Sequence, residues 1–218
     1  ALRIGFAGTL STVLLSFYLL SVFDADRPGI QLAEEIHNLG FTYSVGVDGA
    51  NILFIPLTAI FTLLVLVYTS ITRHATDRLK IACFLGYEGI LIGAFSAMNL
   101  MQFWLWCVLE LIPVVLLTIR AGTGENRRWV VAFLLQHWLS GLLMTLAGFM
   151  LLAFGLMGAA PDAELTFDWL KLKEVSNAHL QYGSLIFFLL FFNFWKYYNA
   201  LHKVFCIPKI DDTDDYCK

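Results

Sequence analysis

Apolar residues run in long blocks along this chain, separated by short polar stretches, and the blocks have the length a lipid bilayer demands. Six stand out, at about 4–23, 50–69, 81–97, 100–119, 129–157 and 180–198. A hydrocarbon core of about 30 Å takes about 20 apolar residues as α-helix, so each block predicts one crossing. The third and fourth are joined by Ser96-Ala-Met-Asn99, room enough only for a tight hairpin. The fifth is long enough to tilt or to extend past the lipid. The expected fold is all-α: an integral membrane bundle of about six transmembrane helices in one domain, 1–210, with a short acidic tail, 211–218, that should fray.

The loop at 24–48 carries its own pattern. Ile30, Leu32, Ile36 and Leu39 fall near one face at helical spacing, which predicts a short amphipathic surface helix over 30–40. Phe41-Thr-Tyr-Ser-Val-Gly-Val47 alternates and runs into the turn signal Asp48-Gly49, which predicts an extended segment leading into the second span.

Composition agrees with the blocks. Hydrophobic residues make up 59% of the 218 and charged residues 14%, too little charge to cover the surface of a water-soluble domain this size. No basic stripe exists to hold nucleic acid. Cys83 and Cys107 lie inside apolar runs and Cys206 and Cys217 near the end, without CxxC pairing or neighbouring histidines. They read as free thiols, and no metal site is expected. The first block has no small-residue cleavage signal after it and reads as a retained span.

Charge in the loops predicts orientation. Arg73, Arg78 and Lys80 follow the second span, Arg120, Arg127 and Arg128 the fourth, and Lys203 and Lys209 the sixth. The other side carries Asp24, Asp26, Glu34, Glu35, Asp48, Asp162, Glu164 and Asp168, with Arg27, Lys171 and Lys173 as its bases. Lys and Arg gather on cytoplasmic loops, so both termini are expected there.

Ionisable residues inside the blocks carry the candidate chemistry. A charge at the bilayer centre costs at least about 2.5–3.5 kcal/mol, so such groups face protein or water and mark ion and proton routes. Glu110 lies ten residues before Arg120 and about as far from the preceding hairpin, which is mid-membrane. The bland alternative is a neutral acid hydrogen-bonded within a packed bundle. Glu88 is placed about two turns into the third span, on its cytoplasmic half, where a short acidic side chain needs a partner. Lys196 comes near the cytoplasmic end of the sixth span, where lysine also snorkels to headgroups. His137 is a candidate pigment or haem ligand, although a packing histidine is commoner, and neither His179 nor His202 lies at a depth that would pair with it.

Several of these residues sit in strings that resemble a known family. Tyr43-Ser-Val-Gly-Val-Asp-Gly49, Leu85-Gly-Tyr-Glu88, Ser140-Gly-Leu-Leu-Met-Thr145 and above all the stretch from Ser96 through Glu110-Leu-Ile-Pro113 resemble the antiporter-like membrane subunit of respiratory complex I, chain M or subunit 4. Phe187 to Lys196, with His202, is similar to that family's lysine-bearing helix. The resemblance implies a proton-path role for Glu110, Lys196, Glu88 and His202, with the carboxylate and the lysine forming a pair whose protonation biases the next site. It also implies partner membrane subunits, and at most a non-catalytic place in an NADH-quinone oxidoreductase-type complex. No nucleotide, flavin or iron–sulfur motif is present, so no cofactor is expected in this chain, and quinone, pigment or lipid contacts would come through partners.

Departures from the family's pattern accompany the likeness. Asn99 stands for an aspartate, Ala132 for a lysine, and Tyr197-Tyr-Asn-Ala200 for a proline-containing break. The chain is also expected to lack the family's second helical repeat, and two half-channels together make one path in inverted-repeat transporters. These points keep two alternatives open. One is a non-pumping accessory or scaffold subunit of another membrane assembly, for example a photosynthetic reaction centre–light-harvesting complex with pigment contacts. The other is part of an inorganic-carbon transporter.

Overall fold

In the computed structural model of the chain, the structure describes residues 2–27, 29–38, 41–72, 77–121, 127–159, 167–168 and 171–172. The element order is α1 (Leu2–Val22), β1 (Gln31–Asn38), β2 (Phe41–Val47), α2 (Asn51–Ile71), α3 (Arg78–Ser96), α4 (Leu100–Leu109), α5 (Leu111–Ala121) and α6 (Arg127–Ala159). Five helical stretches among the described residues are long and apolar enough to cross a membrane, α4 and α5 together forming one of them, Leu100–Arg120. They match the first five predicted spans to within three residues at each end. The sixth predicted span, with the acidic tail, lies outside the described residues. These residues fall into two units, one built on α1 to α5 and the other on α6.

Lipid gives helices no hydrophobic reason to associate, so close packing at small residues has to hold the first unit together. On α1 the small residues Gly5, Thr9 and Ser16 are buried. A Cβ on Gly5 would stand 2.7 Å from Ile81 of α3 and 3.8 Å from Leu66 of α2, so α1 meets both helices at this stripe. The hydroxyls there are satisfied within the helix: Thr9 donates to the Gly5 carbonyl at 3.1 Å and Ser16 to Val13 at 2.8 Å. The outer faces carry Leu14, Tyr18, Phe61, Leu64 and Ile112, all exposed, as lipid requires.

The α3–α4 seam is tighter still. A Cβ on Gly93 would lie 2.6 and 2.7 Å from Cε2 and Cζ2 of Trp106, inside the contact limit of a rigid ring. Gly93→Ala is therefore expected to destabilise the chain. Overpacking costs about 1–3 kcal/mol, whereas exchanging glycine for alanine in a helix returns at most about 1 kcal/mol. Thermal unfolding of the detergent-solubilised chain should show a lower Tm, and an unchanged or higher Tm would refute the close approach.

The segment 30–40 departs from the expected amphipathic helix: Gln31–Asn38 is a strand, paired antiparallel with β2 from Asn38↔Phe41 to Gln31↔Val47. The predicted extended segment at 41–47 is β2 itself. The pairing gives both segments hydrogen-bond partners that neither has alone. The misreading has a physical source. Between Gln31 and Glu34 the strand takes three steps against two on β2, and Leu32 occupies the left-handed region at φ 52°. That bulge breaks the period-two alternation that would have betrayed a strand.

The hairpin closes one end of the first unit. Met98 N–H donates to the Ser44 carbonyl at 3.1 Å, and Val45 bridges Ala97, so β2 lies along the α3–α4 turn. Beneath it Val47, Ile52 and Ile55 pack with Leu19, Phe23, Ile92 and Phe95. Asp48 opens α2 by accepting from Ala50 N at 3.0 Å and Asn51 N at 2.7 Å. Asn99 opens α4 in the same way, its Oδ1 accepting from Met101 N at 2.9 Å. Asparagine caps a helix as well as aspartate does, so the departure at Asn99 leaves this local role intact.

Candidate functional site

Glu110 occupies the join of α4 and α5, ten residues from Leu100 and ten from Arg120. The join follows from Pro113, which has no N–H to offer the Leu109 carbonyl four residues back. Glu110 itself keeps helical geometry, φ −56° and ψ −29°, and its N–H reaches the Trp106 carbonyl at 3.0 Å. The first bond past the proline, from Val114 N to the Glu110 carbonyl, is 3.4 Å. The hydrogen-bond ladder of the span is thus interrupted at this join, and the join carries a carboxyl. Its Oε1 accepts a 2.6 Å hydrogen bond from the Tyr87 hydroxyl of α3.

Glu88, next to Tyr87, faces another neighbour because consecutive helical residues point about 100° apart. It is 3% exposed, and Thr12 of α1 is its polar neighbour. Its Oε1 has no hydrogen-bond partner among the described residues. Because α3 starts at Arg78, Glu88 stands ten residues from one end and eight from the other. It therefore sits near mid-helix. Both carboxyls thus stand near the middle of their spans, with Tyr87 tying one of them to α3.

A groove of about 330 Å³ borders this arrangement, lined by Thr58 and Thr62 of α2, Phe84, Tyr87 and Leu91 of α3, and Leu117 of α5, among others. Thr58 and Thr62 donate to carbonyls of their own helix, leaving the groove an apolar face. It suits an acyl chain or an apolar side chain.

At the far end from the hairpin, Arg120 clasps Asp77 through Nη2 at 2.6 Å and Nε at 2.7 Å. The Arg120 hydrogen bond holds the Asp77 carboxyl below its ordinary value of 3.8. A depressed carboxylate contributes stability above its unfolded value, which is lost as pH falls through the lowered folded one. Asp77→Asn should therefore lower the Tm slightly at neutral pH, with the difference shrinking in high salt and vanishing well below pH 3.8. A Tm difference that persisted in acid would refute the assignment.

In the second unit, His137 of α6 is engaged by its own helix. Its Nδ1 lies 2.8 Å from the Phe133 carbonyl, which makes Nδ1 the protonated nitrogen, and the Phe133 ring sits 4.0 Å away. No group of three metal-ligating side chains occurs among the described residues. Lys196 and His202 lie outside the described residues. The sequence reading missed Tyr87 as the partner of Glu110, Thr12 as the neighbour of Glu88, and Gln102 and Trp106, which share the α4 stripe with Glu110. The spacing 102, 106, 110 was the available signal.

Membrane-length helices enclosing carboxyls at mid-span define a polytopic helical membrane protein with an ionisable interior. The relatives give that class a particular identity: this chain is a homologue of subunit M, also named chain 4, the antiporter-like membrane subunit of NADH-quinone oxidoreductases. Subunit M of Rickettsia felis is 33% identical over 133 residues, 58% of this chain and 27% of that protein. Subunit M of Rhodobacter capsulatus is 33% identical over 171 residues, 76% and 32%. The chloroplastic chain 4 of Huperzia lucidula is 31% identical over 206 residues, 90% and 38%. Among solved structures, a chain of respiratory complex I from Thermus thermophilus superposes with a TM-score of 0.67 at 25% identity, covering 90% of this chain and 38% of its own. No protein-family model matches. The chain spans about a third of the length of the curated relatives it matches. Homology and helices together make it a multi-pass inner-membrane protein, and they do not favour a scaffold role in a photosynthetic assembly.

Proposed function

We propose that this chain forms part of the proton-translocating membrane arm of an NADH-quinone oxidoreductase-type complex, contributing half-channel elements and no redox chemistry of its own. One observation carries the reading: a carboxyl, Glu110, at mid-span on an interrupted helix, held by a tyrosine hydroxyl from the neighbouring helix. Interrupted helices at membrane depth are tolerated where they line protein or water, and ionisable groups there mark proton routes.

In this reading Glu110 is the protonatable group, Glu88 a second one across α3, and Lys196 and His202 the further members that the family resemblance supplies. His137 stays a packing residue. The termini face the cytoplasm, with the Asp77–Arg120 pair on that side and the hairpin on the other. Its partners are other membrane subunits of the complex.

Affinity purification of the full chain in mild detergent tests the assignment, paired with NADH-driven proton uptake in membrane vesicles with and without the chain. The expected result is co-purification with NADH-quinone oxidoreductase subunits and fewer protons moved per NADH oxidised without it. Recovery with an unrelated assembly, or an unchanged proton yield, would overturn the proposal.

A further inference from the structure

A groove on a membrane-spanning surface does not stay empty, because its lining would forfeit dispersion contacts on the open side. The groove described above has α3 as its floor, through Phe84, Tyr87 and Leu91, and α2 and α5, which both pack on α3, as its walls. Its polar residues are already engaged. Thr58 and Thr62 donate to carbonyls of α2, and the Tyr87 hydroxyl donates to Glu110. Phe61 and Val65 on the α2 wall are exposed, so the groove opens outward to lipid. Its volume of about 330 Å³ stands at the lower limit for ligand pockets, about 300–1,000 Å³, and is the size for one hydrocarbon chain.

What selects the occupant lies at the groove's end. Lys80 precedes Phe84 by four residues, Tyr87 by seven and Leu91 by eleven, so it stands on the same stripe of α3. From Lys80 to Leu91 the helix rises about 16 Å, half of a hydrocarbon core of about 30 Å. The stripe therefore runs from one membrane surface to the middle, which is the reach of an acyl chain. Its surface end is basic. Arg120 neutralises Asp77 there at 2.6 Å, whereas Arg78 and Lys80 have no ion-pair partner among the described residues. We propose that the groove holds one acyl chain of an anionic phospholipid whose phosphate rests against Lys80. Basic residues at the ends of membrane-spanning helices recognise anionic headgroups in this way. A helix from another subunit fits less well, because helices approach closely at small residues and Phe61, Val65, Phe84, Leu91 and Leu117 wall this groove. A seated chain packs between α2 and α5 over α3, and so stabilises the unit whether or not Glu110 moves protons.

Native mass spectrometry of the full chain in mild detergent tests the site, with phosphatidylglycerol and phosphatidylcholine of identical acyl chains as the probes. The first phosphatidylglycerol should bind at least about fivefold more tightly than phosphatidylcholine, the contribution of about one basic residue at a headgroup. It should also raise the Tm more at equal concentration. Lys80→Gln, a change at the surface end of α3, should remove most of that preference. Val65→Trp places a ring in the groove from an exposed position and should weaken both lipids alike. Leu64→Trp, exposed but outside the lining, should change neither. Equal affinity of the unmutated chain for the two lipids, an unchanged preference in Lys80→Gln, or undiminished binding by Val65→Trp would overturn the proposal. If Val65→Trp instead lost co-purifying membrane subunits with its lipid binding intact, the groove would belong to a protein neighbour and the lipid site would fall.

Discussion

Glu110→Gln is expected to abolish proton translocation by the assembled complex while leaving the level of the chain in the membrane unchanged. Glutamine matches glutamate in size, and its amide oxygen can still accept the Tyr87 hydroxyl that now stands 2.6 Å from Oε1. The helix interruption also survives, because Pro113 and not Glu110 produces it. What disappears is the ability to take up and release a proton. Glu110→Asp keeps that ability on a shorter stem and should retain part of the transport. Tyr87→Phe leaves the acid but removes its donor, at a cost of at most about 1–3 kcal/mol for a part-buried acceptor left unsatisfied. It should lower transport less than the glutamine variant and lower stability more. The measurement is NADH-driven acidification of sealed vesicles, normalised to NADH oxidation and to the amount of assembled complex. Transport by Glu110→Gln at the normal yield would reduce this carboxyl to a packing group.

How much of this was legible beforehand depends on the kind of interaction. Spans were readable because lipid imposes length and apolarity on every crossing, and the five described helices lie where the blocks predicted. Glu110 was readable for the same reason, since any carboxylate inside such a block is conspicuous. Its partner was not, because Tyr87 looks like ordinary interfacial aromatic material until the helices are paired. Depth arithmetic about the hairpin would have found it: Tyr87 precedes Met98 by eleven residues and Glu110 follows it by twelve. Strand β1 was hidden by its own bulge, and the groove beside Tyr87 becomes visible only through the packing around it. Spacing along one helix can be read from sequence; the identity of the neighbour across the seam comes from the fold.

Glu88→Leu should leave the thermal stability of the chain unchanged or raise it, while lowering proton transport by the complex. The sign follows from the surroundings of the side chain. At 3% exposure, with Oε1 unpartnered among the described residues, the carboxyl suffers a desolvation cost that Thr12, a polar neighbour, offsets in part. Leucine removes that cost and fills a similar volume, and replacing a buried polar group by an apolar one of the same shape can be nearly neutral or stabilising. Thr12 loses little, since its hydroxyl already donates to the Gly8 carbonyl at 3.1 Å. Alanine at the same site should behave oppositely, because it leaves a cavity between α1 and α3. A stabilised variant that no longer supports transport would show that Glu88 is retained at the expense of the fold. A Tm well below that of the unmutated chain for Glu88→Leu would instead make the carboxyl a structural link between α1 and α3, and a protonatable role for it would fall.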